Sequence, residues 1–262
     1  MHFAAVASVP DSIADPADYW EVNVVGTKNV LDAMLAAGVK NLVFSSTAAT
    51  YAFADEMPLT EASLQKPVTP YGTTKLACET MIEEYRHAYG LGYTIMRYFN
   101  ASGADEDGEF GEDRQSESHL IPLALYAAVG RRDGLKVFGN DWKTRDGTCV
   151  RDYVHVNDIA QAHTLAMQSQ KDSVGRKYNI GSNTGVTVLE VIKACETVGG
   201  TKIKYEFAPP RPGDPGELVA SCDKLKAELG WSPKLEGIDA IAQTAHRWHS
   251  RYPNGYADKE KS

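Results

Sequence analysis

Three residues of the chain, Thr47, Tyr71 and Lys75, have side chains that could move a proton. Tyr71 and Lys75 lie four positions apart at the start of a predicted helix, and side chains at that spacing share one helix face. A lysine ammonium beside a phenol favours the phenolate, so we expect the pKa of Tyr71 to fall below its usual value of about 10. Thr47 ends a predicted strand, and its hydroxyl would complete a proton-transfer site. By itself, the Y-x-x-x-K spacing fits a surface tyrosine–lysine pair equally well.

The segments that carry these residues predict alternating strands and helices. Continuous apolar runs indicate buried strands, and apolar residues at helical spacing indicate amphipathic helices. The predicted strands are at 1–6, 40–46 and 93–98, and the predicted helices are at about 16–37 and 70–89. This order is typical of the α/β class with a doubly wound parallel, Rossmann-like sheet.

The predicted sheet places polar residues at one edge. Ligands bind beyond the carboxyl ends of the strands in such sheets. Thr47 and Asn100 follow two strand ends, and Tyr71 opens a helix after one of them. Gly26, inside the first long helix, predicts close packing of that helix on the sheet.

Composition excludes several classes of protein. The chain has 262 residues, a formal net charge of −8 and no basic cluster, which argues against a nucleic-acid surface. We find no signal peptide and no apolar run near 18 residues, so we predict no membrane span. The four cysteines (Cys78, Cys149, Cys195 and Cys222) are scattered, which fits a cytoplasmic protein in a reducing compartment. No spacing of His, Cys, Asp or Glu suggests a metal site.

A series of motifs along the whole chain resembles the UDP-glucose 4-epimerases, within the extended short-chain dehydrogenase/reductase family. The motifs keep the family order, and the stretch at 146–158 is highly specific. They are HFAA (2–5), NVVGT (23–27), FSSTA (44–48), PYGTTK (70–75), RYFNASGAD (97–105), HLIP (119–122), VFGNDW (137–142), DGTCVRDYVHVND (146–158), YNIGS (178–182) and APPRPGD (208–214).

The resemblance implies an NAD-dependent isomerase of galactose metabolism. Such an enzyme interconverts UDP-glucose and UDP-galactose through a transient 4-keto sugar while NAD stays bound. The resemblance implies that Tyr71 takes the proton from the sugar 4-hydroxyl and that Lys75 lowers the Tyr71 pKa and binds the nicotinamide ribose. Thr47 would relay or orient the proton.

The resemblance also implies two sets of binding residues. The cofactor set is Phe3, Ala4, Asn23, Ser45, Tyr71, Lys75 and Phe99. The UDP-sugar set is Asn100, Leu120, Val137, Phe138, Arg151, Tyr153, Arg211, Asp214 and Leu218. For Asn23, a buried amide that bonds loop backbone is an equal alternative, and for Phe3 and Phe99 ordinary packing is an alternative. Leucine at 218 implies a preference for sugars without an N-acetyl group.

Domains and partners follow from the same resemblance. Residues 1–100, with 150–182 contributing, are expected to form the NAD-binding domain. Residues 101–149 and 183–262 are expected to form the nucleotide-sugar domain. The family pattern implies a homodimer through the helices near 16–37 and 71–89.

One departure from the family is large. The G-x-x-G-x-x-G turn that cradles the cofactor pyrophosphate is missing from this sequence. HFAA corresponds to the family's fourth strand, so we expect Met1 to be an internal start or a fragment boundary. We therefore expect weak NAD binding, low stability and impaired activity.

Two other functions remain open at this level. A nucleotide-sugar 4,6-dehydratase would carry an Asp-Glu pair directly after the active-site threonine, where this chain has Ala48 and Ala49. A non-catalytic remnant that binds a nucleotide sugar or a partner fits the missing phosphate turn. Whether the purified chain carries NAD discriminates between the remnant and the enzyme.

Overall fold

The computed structural model describes residues 1–51, 56–114, 116–211 and 214–259, and the chain divides into two compact units. Unit 1 comprises Met1–Phe99, Gln161–Ile180 and Ser221–Trp231. Unit 2 comprises Asn100–Ala160, Gly181–Ala220 and Ser232–Ser262. The assignment of cofactor and substrate to separate domains stays a prediction.

Helices and strands alternate along the chain. The helices are α1 (Val9–Ala14), α2 (Pro16–Tyr19), a π-helix (Trp20–Val25), α3 (Gly26–Ala36), a 3₁₀ turn (Ala48–Thr50), α4 (Pro70–Tyr89), α5 (Leu120–Ala128), α6 (Val156–Gln168), α7 (Val188–Gly199), α8 (Asp223–Leu229), α9 (Ile238–Arg251) and α10 (Tyr256–Lys259). The strands are β1 (Asn41–Thr47), β2 (Gly92–Tyr98), β3 (Asn100–Ser102), β4 (Leu135–Phe138), β5 (Val150–Arg151), β6 (Tyr153–His155), β7 (Gly175–Ile180), β8 (Val186–Thr187), β9 (Tyr205–Ala208) and β10 (Glu217–Leu218).

The sheet of unit 1 is parallel, in the order β1-β2-β7, and helices cover both of its faces. Successive side chains of a strand point to opposite faces. On β1, Phe44 packs in the cluster that includes Ile82 of α4, whereas Ser45 bonds to His163 of α6. The predicted α/β doubly wound class is therefore confirmed.

The first residues and the first long helix differ from the predictions in detail. The strand expected at 1–6 is reduced to one parallel bridge, between His2 and Phe44. The helix expected at 16–37 is a helical run whose middle turn is the π-helix. The buried Asn23 lies in that turn, with its amide bonded to both backbone groups of Val6. A wider turn that places a polar side chain inward is a common use of π geometry.

Helix α4 has strong signals at both ends. The Thr69 hydroxyl accepts a hydrogen bond from the Gly72 N–H, and Pro70 occupies the first helical position. Gly90 ends the helix with φ of 73°, a left-handed conformation that glycine adopts without strain. These signals fix the register of Tyr71 and Lys75 in the first two turns.

A row of buried polar side chains crosses the sheet just before its carboxyl edge. Ser46, Arg97 and Asn179 occupy aligned positions on β1, β2 and β7. Glu79 of α4 receives Arg97 Nη2 at 2.6 Å and Nε at 3.0 Å, and it also receives the Ser46 hydroxyl. Tyr51 connects the far end, since its hydroxyl accepts from Arg97 Nη1 at 2.8 Å and donates to Asn179 at 2.6 Å.

The ion pair in this row is fully buried. The side chains of Arg97 and Glu79 are 0% and 1% exposed. Burial opposes the charge of Arg97, but the hydrogen bonds and charge of Glu79 outweigh burial and raise the pKa of the guanidinium. A buried charge is stable only when it is paired and hydrogen-bonded. The row therefore fixes the lateral position of α4 on the strands.

Unit 2 is built from short strand pairings and a helical core. Its sheets have the orders β10-β5-β8, β3-β6 and β4-β9. Apolar side chains of α5, α7 and α9 form the main cluster, which includes Leu125, Ile192 and Ile241. Thr187 and Glu190 form a capping box at the start of α7. In the ranges that the structure describes, no helix has both the length and the apolar character needed to cross a membrane.

Replacement of Glu79 by Gln is expected to destabilise the fold by about 3–5 kcal/mol, because it leaves the Arg97 charge buried without a counter-charge. Urea denaturation of the purified chain measures this change in the free energy of unfolding. Glu206→Gln, which breaks the exposed Lys136–Glu206 pair, is the control and should have no resolvable effect. Equal midpoints for Glu79→Gln and the unsubstituted chain would show that the buried pair is not a structural determinant.

Candidate active site

Thr47 lies at the carboxyl end of β1, where the chain turns away from the sheet. Its side chain is buried, and its hydroxyl oxygen accepts a hydrogen bond from the Ala49 N–H at 3.1 Å. This bond closes the turn Ala48–Thr50 and fixes the direction of the hydroxyl. Thr47 is thus placed at the sheet edge where ligands bind in doubly wound folds.

Helix α4 begins against the same turn because residue 72 is glycine. A Cβ at Gly72 would lie 2.2 Å from the Ala49 carbonyl oxygen, well inside contact distance. The absence of a side chain lets the first turn of α4 lie directly on the backbone that follows Thr47. Tyr71, half-buried in this first turn, has its ring edge-on to Tyr19, with 6.3 Å between the ring centroids.

Lys75 is buried one turn further along α4, with only 4% of its surface exposed. Its Nζ donates to the Ser45 carbonyl oxygen at 2.9 Å and lies 4.8 Å from the centroid of the Phe44 ring. Burial lowers the pKa of Lys75 to about 8, although the charges of Cys78 and Glu79 act in the opposite direction. A lysine whose charge is weakly stabilised gains most from an anion placed beside it.

Thr47 ends β1, and Tyr71 and Lys75 lie in the first two turns of α4, which begins against the turn after Thr47. Their proton-transfer role stays a prediction. Gly72 and the Glu79–Arg97 pair were missed by sequence reasoning. The Gly72 signal was readable, since a glycine inside a helix has poor propensity and needs a packing reason. By contrast, the close packing predicted at Gly26 is wrong, because a Cβ there would meet nothing nearer than 4.0 Å.

The predicted cofactor residues of unit 1 differ in their surroundings. Phe3 and Ala4 are exposed, and the Phe3 ring lies 4.9 Å from the ring of His163. Phe99 is buried, and the amide of Asn23 also donates to the Thr74 hydroxyl at 3.1 Å. The observed bonds of Asn23 match the structural alternative, and a cofactor contact for these residues stays a prediction.

The residues present fit one end of a bound NAD. A lysine ammonium has three N–H donors, and the Ser45 bond uses one of them. The buried Lys75 could therefore bind a ribose hydroxyl while it stays anchored to β1. The sequence contains no glycine-rich turn for the pyrophosphate, so the fit concerns the nicotinamide end.

Two arginines predicted to bind phosphate lie in unit 2. Arg151 ends β5, and its Nη2 lies 3.8 Å from an Asp214 carboxylate oxygen. Arg211 is exposed, and its guanidinium carbon lies 4.1 Å from the centroid of the Phe138 ring. Arginine binds phosphate oxygens through a planar pair of donors. The phosphate role of both residues stays a prediction, and Pro212 and Gly213 of the same predicted loop lie outside the described residues.

The other predicted substrate residues of unit 2 occupy its short strands and the start of α5. Asn100 begins β3, and its Nδ2 donates to the Asp152 carbonyl oxygen at 2.7 Å. Leu218 pairs with Arg151 where β10 runs alongside β5. The remaining members are Leu120 on α5, Val137 and Phe138 on β4, and Tyr153 on β6.

One group in unit 2 has the residue types of a metal site. Ligand atoms of Glu112, Glu117 and His119 lie within 4.8 Å of one another. Hydrogen bonds that the His119 Nδ1–H donates to the carboxylates of Glu112 and Glu117 raise the pKa of His119 to about 9, and Glu112 also pairs with Arg114. In the described structure these side chains form an ion-pair cluster with Arg114.

Comparisons with known proteins agree on one family. The model of the NAD dependent epimerase/dehydratase family matches residues 1–181. The UDP-glucose 4-epimerase of Halalkalibacterium halodurans is 46% identical over 262 residues, which are 100% of this chain and 78% of that protein. A crystal structure of the Brucella ovis UDP-glucose 4-epimerase in complex with NAD superposes with a TM-score of 0.89 and 42% identity, covering 94% of this chain and 77% of that one. The Bifidobacterium longum UDP-glucose 4-epimerase in complex with NAD⁺ and UDP gives a TM-score of 0.90 and 37% identity, covering 97% and 76%.

Two glycine-to-alanine substitutions in helical segments should have opposite effects on stability. Gly72→Ala forces α4 away from the Ala49 carbonyl and should cost about 1–3 kcal/mol. Gly26→Ala meets no close atom, and its higher helix propensity should stabilise the chain by about 0.5–1 kcal/mol. Thermal or urea unfolding of the two variants beside the unsubstituted chain measures both signs. A stabilised Gly72→Ala variant would contradict the direct contact between α4 and the turn after Thr47.

Proposed function

The chain belongs to the NAD-dependent epimerase/dehydratase family, and we propose that it catalyses the interconversion of UDP-glucose and UDP-galactose with NAD as cofactor. The observation that carries this proposal is the junction of β1 and α4, where a buried lysine, a tyrosine and a threonine lie at the carboxyl edge of a parallel sheet. The UDP-glucose 4-epimerases that the chain resembles at 46% and 42% identity support it.

The chemistry divides between the cofactor and the chain. When bound, NAD accepts a hydride from C4 of the sugar and returns it to the opposite face of the ring, so the reaction has no net redox change. The chain has to move one proton, bind the sugar nucleotide and let the 4-keto sugar turn over. The proposal assigns the first of these tasks to unit 1.

We assign the proton transfer to the Tyr71 phenol. As phenolate, Tyr71 would take the proton of the sugar 4-hydroxyl and later give it back to the ketone oxygen. Burial leaves the Lys75 ammonium poorly solvated, so a phenolate beside it would stabilise the ammonium. The ammonium would in turn stabilise the phenolate and lower the pKa of Tyr71. The Thr47 hydroxyl is fixed by its bond with the Ala49 N–H, and it would orient the 4-hydroxyl oxygen of the sugar toward Tyr71.

We assign nucleotide binding to unit 2. Arg151 and Arg211 would bind the pyrophosphate, with Asn100 on the pyrophosphate or sugar and Asp214 on the uridine ribose. Leu120, Val137, Phe138 and Tyr153 would contact the uracil or ribose. Leu218, half-buried beside Arg151, would favour sugars without an N-acetyl group.

The 4,6-dehydratase alternative lacks its acid–base pair. Ala48 and Ala49 occupy the positions after Thr47 within the 3₁₀ turn, and neither can protonate a leaving hydroxyl. The non-catalytic alternative remains a measurable outcome. A chain that binds UDP but never converts UDP-galactose with added NAD would favour it.

Tyr71→Phe is expected to lower the rate of UDP-galactose conversion by about 10²–10⁴-fold, since it removes the transferring hydroxyl and keeps the ring. The assay uses purified chain with added NAD and follows UDP-glucose formation. Tyr89→Phe is the matched control, because Tyr89 is 62% exposed at the far end of the same helix. Equal loss of activity in both variants, or none in either, would refute the role of Tyr71.

We also propose that the chain forms a homodimer in the cytoplasm through the helical run at 16–36 and α4. Trp20 and Val25 are exposed on the π-helix, and the Tyr85 hydroxyl of α4 donates to Asp32 of α3 at 2.6 Å. The two helices thus form one surface with apolar side chains on it. Buried thiols at Cys78 and Cys195 fit a reducing compartment.

Trp20→Glu should convert a dimer into a monomer in sedimentation velocity, because it places a charge on the apolar surface. Ile13→Glu, on the exposed face of α1, is the control and should leave the mass unchanged. A monomeric unsubstituted chain at micromolar concentration would contradict the dimer and leave the catalytic proposal unaffected.

A further inference from the structure

Asp152 is a buried carboxylate that the proposed mechanism does not use. It is 0% exposed and lies between β5 and β6, directly after Arg151. Its two oxygens accept from the Ser182 N–H at 2.9 and 3.0 Å, and Oδ2 accepts from the Ala220 N–H at 2.9 Å. In the described part of the chain, no cation forms an ion pair with it.

The backbone of Asp152 holds a third segment. Its carbonyl oxygen accepts from the Asn100 N–H at 3.1 Å and from the Asn100 Nδ2 at 2.7 Å. Asn100 is therefore tied to Asp152 by both its main chain and its side chain. The amide is oriented by this pair of bonds before any ligand arrives.

All but one of the segments that meet at Asp152 carry predicted substrate contacts, the exception being the Ser182 segment. Arg151 precedes it, Asn100 bonds to its carbonyl, and Ala220 lies two residues after Leu218. The Ala220 carbonyl oxygen also accepts from the Asn183 N–H at 3.1 Å, which joins the Ser182 segment to the Ala220 segment directly. The strand pairings at these segments, β10 and β8 with β5 and β3 with β6, are only two or three residues long, so side-chain bonds contribute strongly to their geometry.

Close packing at Gly181 makes the arrangement specific. A Cβ at Gly181 would lie 2.6 Å from Asp152 Oδ2 and 2.6 Å from the Ala220 carbonyl oxygen. Only glycine lets the chain pass close enough for the Ser182 N–H to reach the carboxylate. The motif YNIGS therefore contributes to the same cluster as DGTCVRDYVHVND.

We propose that Asp152 is a positioning residue for nucleoside diphosphate binding, which sets Arg151, Asn100 and the Leu218 segment in one fixed geometry before UDP binds. The inference rests on the proposed function for the substrate roles of those three residues. Asp152 itself touches no ligand in this scheme. Its carboxylate acts by ordering loops whose freedom would otherwise be lost at the moment of binding.

The sign of one substitution separates this role from a simple charge effect. Removal of a negative charge next to Arg151 should strengthen the binding of an anionic diphosphate if charge alone matters. Loss of the backbone-ordering acceptor should weaken binding, because an asparagine side chain at this position would direct its NH₂ group at an N–H donor. Asp152→Asn thus gives opposite results for the two explanations.

Asp158 provides a matched control. It is 3% exposed, belongs to the same unit, and its carboxylate accepts from the Lys234 and Leu235 N–H groups at 2.7 and 3.0 Å. Those partners lie in a loop that carries none of the predicted substrate residues. Asp158→Asn should therefore destabilise unit 2 without moving the substrate segments.

The experiment is calorimetric titration of UDP into the purified full chain and its variants, with urea unfolding of each. Asp152→Asn should weaken UDP binding by about tenfold or more, and Asp158→Asn should leave the Kd within about threefold. Gly181→Ala should also weaken UDP binding, because the added methyl group shifts the Asp152 carboxylate without removing its charge. This variant replaces Asp152→Asn in the test if Asp152→Asn does not fold. Where turnover is measured, KM should rise and kcat should hold.

The outcomes separate the inference from the function on which it rests. Unchanged or tighter UDP binding in a folded Asp152→Asn or Gly181→Ala variant overturns the positioning role and leaves the proposed function intact. Failure of the unsubstituted chain to bind UDP contradicts the proposed function, and the inference with it. Equal weakening by Asp158→Asn shows a general loss of structure and also overturns the positioning role.

Discussion

The buried pair of Glu79 and Arg97 is the interaction on which the arrangement of unit 1 depends. A guanidinium and a carboxylate without solvent have to be held in one geometry, and the strands and α4 supply that geometry together. Ser46 and Asn179 extend the constraint to the neighbouring strands. Glu79 lies one turn after Lys75 on α4, so the Glu79–Arg97 pair also fixes the position of Lys75 relative to β1.

The site at the end of β1 has two features that oppose stability. Lys75 is buried with a single carbonyl partner among its described hydrogen bonds, and its lowered pKa records the cost of that burial. Gly72 gives up helix propensity to allow contact with the Ala49 backbone. The first feature leaves N–H donors of Lys75 for a ligand, and the second brings the start of α4 against the turn after Thr47. A cost in stability at such a place is expected where function competes with stability.

In unit 2, the positions of several segments are fixed by backbone N–H groups that bond to buried carboxylates. Its substrate-side segments are short strands and loops, which have little regular hydrogen bonding to define them. Asp152 supplies additional hydrogen bonds to these segments. Its carboxylate accepts from the backbone N–H groups of Ser182 and Ala220, and its backbone carbonyl accepts from Asn100. Asp158 does the same for the loop at Lys234. Buried carboxylates that accept backbone N–H groups thus occur twice among the described residues of this unit.

Signals in the sequence are enough to predict the family and most of the helices and strands of unit 1. Apolar runs and helix caps are local signals, so the parallel sheet, the limits of α4 and the capping box at Thr187 could be predicted. Tyr71 and Lys75 could be placed together because four residues on one helix are close in any fold. Three features became visible only in the folded chain: Gly72 packs on the Ala49 carbonyl, a Cβ at Gly26 would meet no described atom nearer than 4.0 Å, and Asp152 joins three segments. Those contacts join residues far apart in sequence, and the geometry that pairs them exists only after the chain has folded.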